Sequence, residues 1–180
     1  MSKAVLISIR PKWCRKIASG EKTIEVRKTR PKLAPPFKCY IYCTVDNEAH
    51  NPKNIFWKKD RTGFEWILNG NVIGEFTCDR IYKIDKDIVD FIFASYNGGY
   101  SIYKRAAEEC CGLCVAMPDN ELSDYLGHRQ GYGWHISNLK IYDMPKALES
   151  FTGLRDTKFG AAPYEIKRAP QSWCYVEEKS

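Results

Sequence analysis

The sequence has no long hydrophobic run. The apolar stretch from Ala4 to Ile9 is interrupted by Ser8 and is too short for the hydrophobic part of a signal peptide. No other stretch approaches the ~20 apolar residues that a membrane-spanning helix needs. The mean hydropathy of −0.46 is typical of a soluble protein. We therefore expect a cytoplasmic protein with no membrane partner.

Histidine is scarce, with three residues in 180, and the chain has no internal repeat, no low-complexity tract and no glycine-rich phosphate loop. These absences exclude repeat architectures and P-loop nucleotide sites. The chain has eight cysteines, and without a secretory signal we expect them to be reduced. Cys39, Cys78 and Cys174 lie in apolar strand-like contexts, where a free thiol packs as a small core residue.

The cysteines at positions 110, 111 and 114 form a cluster. Cys111 and Cys114 have the C-x-x-C spacing that either a metal site or a redox pair uses. A zinc site needs four ligands, and the nearby soft donors are Cys110, His128 and His135, with no second paired motif. We therefore predict no metal and no cofactor. A structural zinc or a redox pair is the alternative to incidental cysteines.

The length of 180 residues and the mass of 20.8 kDa fit one domain that can bury its own core. We expect this single domain to span residues 1–180. Residues 46–62 are polar and interrupted by proline, which indicates an insertion between strands. In this insertion Phe56 and Trp57 precede three cations, so they either anchor the loop or stack on a base.

The first thirty residues predict a strand, a short helix and a second strand. Residues 5–10 alternate with a period of two, which indicates a strand with one firmly apolar face. Pro11 suits a first helical turn, and Gly20 stands where a left-handed C-cap is expected. After this corner Ile24 and Val26 share one strand face, while Glu25 and Arg27 share the other.

Further along, residues 39–43 predict a strand that is covered on both faces. Asn69-Gly70-Asn71 predicts a hairpin turn, and residues 131–142 predict a strand kinked at Ser137-Asn138. We expect helices over 102–114 and 121–126, with Gly127 ending the second, and a closing strand over 172–176. The fold class is then α+β: mainly antiparallel strands that close into a small β-barrel with flanking helices.

Positive charge is concentrated at the amino end. Residues 1–32 contain ten Lys or Arg and two acids, a net charge of +8, whereas the whole chain carries +6. A clustered basic surface attracts phosphate and gives salt-dependent affinity for nucleic acid. The alternative is a solvated basic face that keeps the protein soluble.

Glu25 lies on the strand face beside Arg27 and next to Lys22 at the corner. Charged groups that converge in a concave site are usually paired, and pairing holds each in one geometry from which it can read the edge of a ligand. The alternative is an exposed Lys-Glu-Arg network that contributes little to stability.

The pattern Gly20-x-Lys22-x-x-Glu25-x-Arg27 resembles the GxKxxExR signature of the ASCH domain family, which belongs to the PUA-like superfold. All four positions match, and the segments Gly131–Ile136 and Pro170–Val176 support the resemblance. It implies a small β-barrel with flanking helices and a cleft in which the signature residues face a nucleic acid or a modified base.

One branch of the resembled family is the bacterial N4-acetylcytidine amidohydrolase, which works with a Lys, Thr and Glu triad. Its lysine matches Lys22, but its threonine position falls on Glu25, with Thr23 at a neighbouring position. A carboxylate there acts as a base or an acceptor and not as a hydroxyl nucleophile. The enzyme's glutamate corresponds to one of the later acids, for which the candidates are Glu75, Glu108, Glu109 and Glu121.

We therefore predict an RNA-binding or modified-nucleoside-binding protein with a basic cleft around the motif. Cations would meet phosphates or base acceptors, Glu25 would accept from a base amino group, and tryptophans would stack. The predicted ligand-binding residues are Arg10, Trp13, Lys16, Lys22, Thr23, Glu25, Arg27, Arg30, Trp134 and Trp173. The alternative is metal-independent hydrolysis of an acylated nucleoside, with Lys22 as proton donor and Glu25 as the base for a water.

Overall fold

The structure, a computed structural model, describes residues 2–45, 55–84, 119–127 and 129–179. The predicted helix over 102–114 and its cysteine cluster lie outside the described residues. So do His128 and residues 46–54 of the predicted insertion.

The described elements are mostly strands. In chain order they are β1 (Lys3–Ile9), α1 (Pro11–Ala18), β2 (Ile24–Arg27), β3 (Phe37–Cys43), β4 (Trp57–Lys59), β5 (Glu65–Ile67), β6 (Asn71–Cys78), β7 (Ile81–Ile84), α2 (Asp119–Leu126), β8 (Gly131–His135), β9 (Ser137–Lys146), a 3-10 turn (Leu148–Ser150), β10 (Thr152–Thr157), β11 (Gly160–Glu165) and β12 (Trp173–Glu177). None of the described helices is long and apolar enough to cross a membrane.

The strands form one large sheet and two small ones. The large sheet has seven strands in the order β11-β10-β12-β1-β3-β6-β9, the second sheet has the order β2-β8-β7, and β4 pairs with β5. The β1–β3 pair is parallel, and the other pairs are antiparallel. The predicted α+β class with mainly antiparallel strands is therefore confirmed.

Strand β1 lies inside the large sheet and is buried on both faces. Val5 and Ile7 belong to the core cluster that also contains Trp134, whereas Ala4 and Leu6 belong to a second cluster on the opposite face. Successive strand residues point to opposite faces, so a central strand covered on both sides needs apolar residues at nearly every position. The sequence predicted one apolar face, and the structure covers two.

Two bent pairs of consecutive strands, β6–β7 and β8–β9, connect the large sheet to the three-stranded sheet. β6 of the large sheet is followed closely by β7 of the three-stranded sheet. β8 of the three-stranded sheet is followed, after Ile136, by β9 of the large sheet. Asn138 has a φ of 49°, which places the bend at the predicted kink. Within the described ranges the hydrogen bonds do not close these strands into a barrel, and the closed barrel stays a prediction.

The turn at residues 69–71 has the predicted glycine conformation, but the strands before and after it do not pair with each other. Gly70 has a φ of 81°, which glycine adopts without strain. However, β5 before the turn pairs with β4, and β6 after it pairs with β3 and β9. The turn therefore links two sheets and does not form a hairpin.

Two helices flank β2 and fix its position. Helix α1 begins at Pro11, and the chain leaves it through Gly20 with a φ of 80°, as predicted. Helix α2 ends at Gly127, which has a φ of 60°, and its residues Leu122 and Leu126 pack with Ile24 and Val26 of β2. Helix α2 therefore covers the Ile24 and Val26 face of β2, and Glu25 and Arg27 leave from the other face.

Burial of the core cysteines predicts that they are chemically protected. Burial raises the pKa of the Cys14 and Cys39 thiols well above the usual range and that of Cys78 to about 12. Because the thiolate is the reactive form, iodoacetamide at about pH 8 should leave these three cysteines unmodified in the native protein. Peptide mass spectrometry should find all three alkylated in guanidinium chloride. Modification of Cys39 without unfolding would contradict this burial.

The β4–β5 hairpin predicts a local pH dependence. Hydrogen bonds from Thr62 and Trp66 lower the pKa of the Asp60 carboxyl to about 2. A lowered folded-state pKa stabilises the hairpin above the unfolded value of about 4, and this contribution is lost as the pH falls through about 2. Asp60→Asn should shift the Trp66 indole N–H resonance at neutral pH, whereas Glu65→Gln in the same hairpin should not. An unchanged resonance in the Asn variant would refute the contact.

Candidate functional site

A cleft of about 980 Å³ lies where β1, α1, β2 and α2 meet the segment that precedes β12. Its wall combines charged, aromatic and small polar side chains. The lining residues are Ser8, Ile9, Arg10, Lys12, Trp13, Glu25, Val26, Arg27, Tyr42, Thr44, Val45, Glu121, Asp124, Tyr125, Ala169, Pro170, Gln171 and Ser172.

Three buried charged side chains meet beside this cleft. Glu25 Oε1 lies 2.8 Å from Arg27 Nη2, and Glu25 Oε2 lies 3.5 Å from Lys22 Nζ. The exposed fraction is 0% for the Lys22 side chain, 6% for Glu25 and 8% for Arg27. The prediction that these three groups are paired is confirmed, and the alternative of an exposed surface network is wrong. We call these three residues the buried triad.

Local structure explains how the buried triad assembles. Glu25 and Arg27 are two residues apart on β2, so their side chains leave the strand on the same side. Lys22 is held at the corner after α1, where its backbone N–H donates to the carbonyl of Lys16 over 2.9 Å. Arg27 Nη2 also donates to the carbonyl oxygen of Ser8 over 2.6 Å, which joins β2 to β1.

The single carboxylate of the buried triad does not balance all of its positive charge or accept from all of its hydrogen-bond donors. Two cations and one carboxylate give it a charge of +1. The Arg27 Nε is fully buried and has no hydrogen-bond partner among the described residues. An unsatisfied buried donor costs about 1–3 kcal/mol, so an acceptor supplied by a ligand would stabilise this wall. The Nε atom is itself covered by neighbouring atoms in this structure.

Trp13 is surrounded by ammonium groups. Its ring centroid lies 4.5 Å from Lys12 Nζ, 5.3 Å from Lys22 Nζ and 5.7 Å from Lys16 Nζ. Such contacts contribute roughly 0.5–2 kcal/mol each, depending on how well the cation is desolvated. Trp13 therefore connects helix α1 to the buried triad while its half-buried ring also lines the cleft.

The lining of the cleft is balanced in charge and not basic, as far as the described residues show. Its cations are Arg10, Lys12 and Arg27, and its acids are Glu25, Glu121 and Asp124. Helix α2 supplies two of these acids, which the predicted basic cleft did not include. Lys12 Nζ pairs with both carboxylate oxygens of Glu121, at 2.8 and 2.9 Å.

The predicted ligand-binding residues divide into two groups. Arg10, Trp13, Glu25 and Arg27 line the cleft, and Lys22 contacts Glu25 without being part of the lining. The structure does not bring the other predicted residues into the lining, and these are Lys16, Thr23, Arg30, Trp134 and Trp173.

The residues outside the lining have structural contacts of their own. Trp134 is fully buried and meets Phe37 and Trp173 with centroid distances of 5.9 and 6.0 Å. The Trp173 indole N–H donates to Thr29 Oγ1 over 3.1 Å. The exposed Arg30 guanidinium stands 5.8 Å from the ring of Tyr132. Lys16 contacts Trp13 as described, and the backbone oxygen of Thr23 accepts from Ile136 over 2.8 Å.

The acids considered for a hydrolase triad lie in different places. Glu121 lines the cleft. Glu75 instead accepts a 2.5 Å hydrogen bond from the Tyr142 hydroxyl, and Glu108 and Glu109 lie outside the described residues. In the described ranges no three His, Cys, Asp or Glu side chains group closely enough to hold a metal ion.

Sequence reasoning missed several lining residues. Helix α2 contributes Asp124 and Tyr125, and the segment before β12 contributes Gln171 and Ser172. The one local signal was Ser8, the single polar residue between Ala4 and Ile9, whose backbone carbonyl accepts from Arg27.

The fold is similar to that of solved ASCH proteins. Against a crystal structure of ASCH from Zymomonas mobilis the chain has a TM-score of 0.50 and 18% identity, covering 97% of this chain and 88% of that one. Against a mutant form of the same organism's ASCH protein the TM-score is 0.50 at 17% identity, covering 98% and 92%. No family model matches the sequence, and no curated protein matches it significantly. The likeness shows the fold alone: the chain has the fold of an ASCH domain, as the resemblance implied.

The buried triad predicts a large stability effect at Glu25. Glu25→Gln removes the carboxylate and leaves Lys22 and Arg27 buried without their counter-charge, which should cost roughly 3 kcal/mol of unfolding free energy. Urea denaturation measures it. The control is Glu21→Gln, an exposed acid in the same corner, with an expected change within about 0.5 kcal/mol. Equal stability of the two variants would show that the triad charges are not coupled.

Proposed function

We propose that the protein binds a single nucleobase, in a nucleoside or at an accessible position of single-stranded RNA, with the base edge against Glu25 and Arg27. The observation that carries this proposal is the buried triad in the wall of the cleft, where a carboxylate acceptor stands beside a guanidinium donor.

The hydrogen-bonding chemistry of this wall fits a base edge. Every nucleobase presents a donor next to an acceptor on its Watson–Crick edge. Glu25 would accept from an amino or imino N–H, and Arg27 would donate to the neighbouring oxygen or ring nitrogen. Lys22 and the Ser8 carbonyl hold these two side chains in place, so little conformational entropy remains to be lost on binding.

The size and the aromatic residues of the cleft support the same proposal. A volume of about 980 Å³ lies at the upper end of the range of small-molecule sites. Trp13, Tyr42 and Tyr125 line it, and base stacking on an aromatic ring contributes roughly 1–3 kcal/mol.

The balanced charge of the lining favours recognition of a single base and not of a long nucleic-acid strand. Affinity for a nucleic-acid backbone comes mainly from cations that displace counterions. Three acids in the lining offset its three cations, so the cleft itself offers little net attraction to successive phosphates. An RNA partner would therefore enter with one exposed base.

We also infer that the two larger sheets are the halves of a PUA-like barrel. The bent pairs β6–β7 and β8–β9 pass from one sheet to the other. Trp134 of the smaller sheet shares one core cluster with Ile7 and Ile41 of the larger. Strands that turn a corner between sheets around a common core are typical of small barrels.

Ligand titration tests the base-binding proposal. Adenosine, cytidine, guanosine, uridine and N4-acetylcytidine are titrated against the protein, with tryptophan fluorescence or chemical-shift changes as the readout. At least one should bind saturably, and Arg27→Lys should weaken it about tenfold, because lysine keeps the charge but loses the planar donor arrangement. The control is Arg155→Lys, an exposed arginine on β10 that should leave the affinity unchanged.

The same samples separate the remaining outcomes. A single-stranded oligonucleotide that binds at least tenfold more tightly than every nucleoside, with a small salt slope, would identify RNA as the source of the base. Release of cytidine from N4-acetylcytidine, lost in Lys22→Ala, would identify the protein as an amidohydrolase. No binding of any nucleoside or oligonucleotide at low salt would refute the proposal.

A further inference from the structure

The part of the cleft at the start of α1 has a cation with no partner among the described residues. The Arg10 side chain is exposed and lines the cleft, and it makes no hydrogen bond or ion pair with any described residue. Most other cations near the amino end are engaged: Lys12 with Glu121, and Lys22 and Arg27 with Glu25. Arg10 is therefore a guanidinium that is available to an anion.

The backbone at the start of α1 also favours an anion. Arg10 is the N-cap of α1 and provides no side-chain cap, and Pro11 follows at the first helical position. The start of a helix carries the positive end of the helix dipole, which favours anions. The N–H groups of Trp13 and Cys14 already donate to the carbonyl of Arg10, and Pro11 has no N–H, so the attraction here comes from the dipole and the side chains. The first turn of α1 contains no acidic residue that would neutralise this field.

A second and independent feature lies in the wall of the same cleft. The Arg27 side chain is more than nine-tenths buried, and its Nε has no partner among the described residues. The buried triad also retains a charge of +1. Arg10 and Arg27 thus both favour electronegative ligand atoms in this cleft, although the total charge of its lining is balanced.

We infer that the cleft has a phosphate subsite formed by Arg10, Lys12 and the first turn of α1, so that its ligand is a nucleoside phosphate and not an uncharged nucleoside. This inference rests on the proposed binding of a base by Glu25 and Arg27, to which it adds the second recognised group. The guanidinium of Arg10 matches two phosphate oxygens at once, whereas Lys12 provides a point charge.

Glu121 competes with the phosphate at this subsite. Its carboxylate holds Lys12 through two short contacts, and both side chains are about half exposed, so this pair is easily exchanged. A phosphate that binds Arg10 would take Lys12 from Glu121. Removal of the Glu121 charge should consequently strengthen phosphate binding.

The test compares each of the four nucleosides with its own 5′-monophosphate by calorimetric titration at low salt. The monophosphate should bind about tenfold more tightly, and Arg10→Gln should remove this difference. Arg155→Gln makes the same charge change outside the cleft and should leave the difference intact. Glu121→Gln should enlarge it several-fold.

The outcomes separate this inference from the proposed function. If nucleosides bind but their monophosphates bind no more tightly, the phosphate subsite is refuted and base binding stands. A monophosphate advantage that persists in Arg10→Gln also refutes it. Inorganic phosphate should compete with the monophosphate and not with the nucleoside, and competition with both would overturn the inference. If neither nucleoside nor monophosphate binds, both proposals fail together.

Discussion

The site depends on one carboxylate that is shared by two buried cations. Glu25 holds Lys22 and Arg27 in fixed positions, and Arg27 in turn holds the backbone of Ser8. Burying three charges is costly, and apolar residues of similar volume often give equal or greater stability. Stability alone therefore does not account for three charges buried at the wall of a cleft. This single set of contacts joins the corner after α1, strand β2 and strand β1.

The surroundings of the buried triad determine what it can recognise. Helix α1 brings cations and Trp13 to one side, and helix α2 brings acids and Tyr125 to the other. Because the lining is balanced, the described part of the cleft exerts little long-range attraction on a charged molecule. The excess positive charge lies on exposed residues such as Lys28 and Lys32, outside the lining. The clustered positive charge of the sequence therefore lies mainly on the molecular surface, whereas the motif residues form the buried triad.

The parts that local chemistry determines were predictable from the sequence. Proline at the start of α1, the left-handed Gly20 and the two-residue period of β2 act over a few residues, and the structure confirms all three. A two-residue period shows which side chains share a strand face but not which face is buried. The sequence therefore predicts Trp134 in the cleft, whereas the structure places it in the core. Gln171 and Asp124 reach the cleft through long-range packing, for which the sequence has no local signal.

The pairing of β1 with β12 has a consequence for synthesis on the ribosome. Lys3 pairs with Glu177 and Ile7 with Trp173, so β1 can complete this pairing only after β12 has been synthesised. Pro170 and Gln171, which line the cleft, precede β12 directly and are placed by it. Contacts between distant parts of a chain form slowly, because the intervening loop must close first. Until β12 is in place, the apolar strand β1 has an open edge, and the cleft lacks the residues that precede β12.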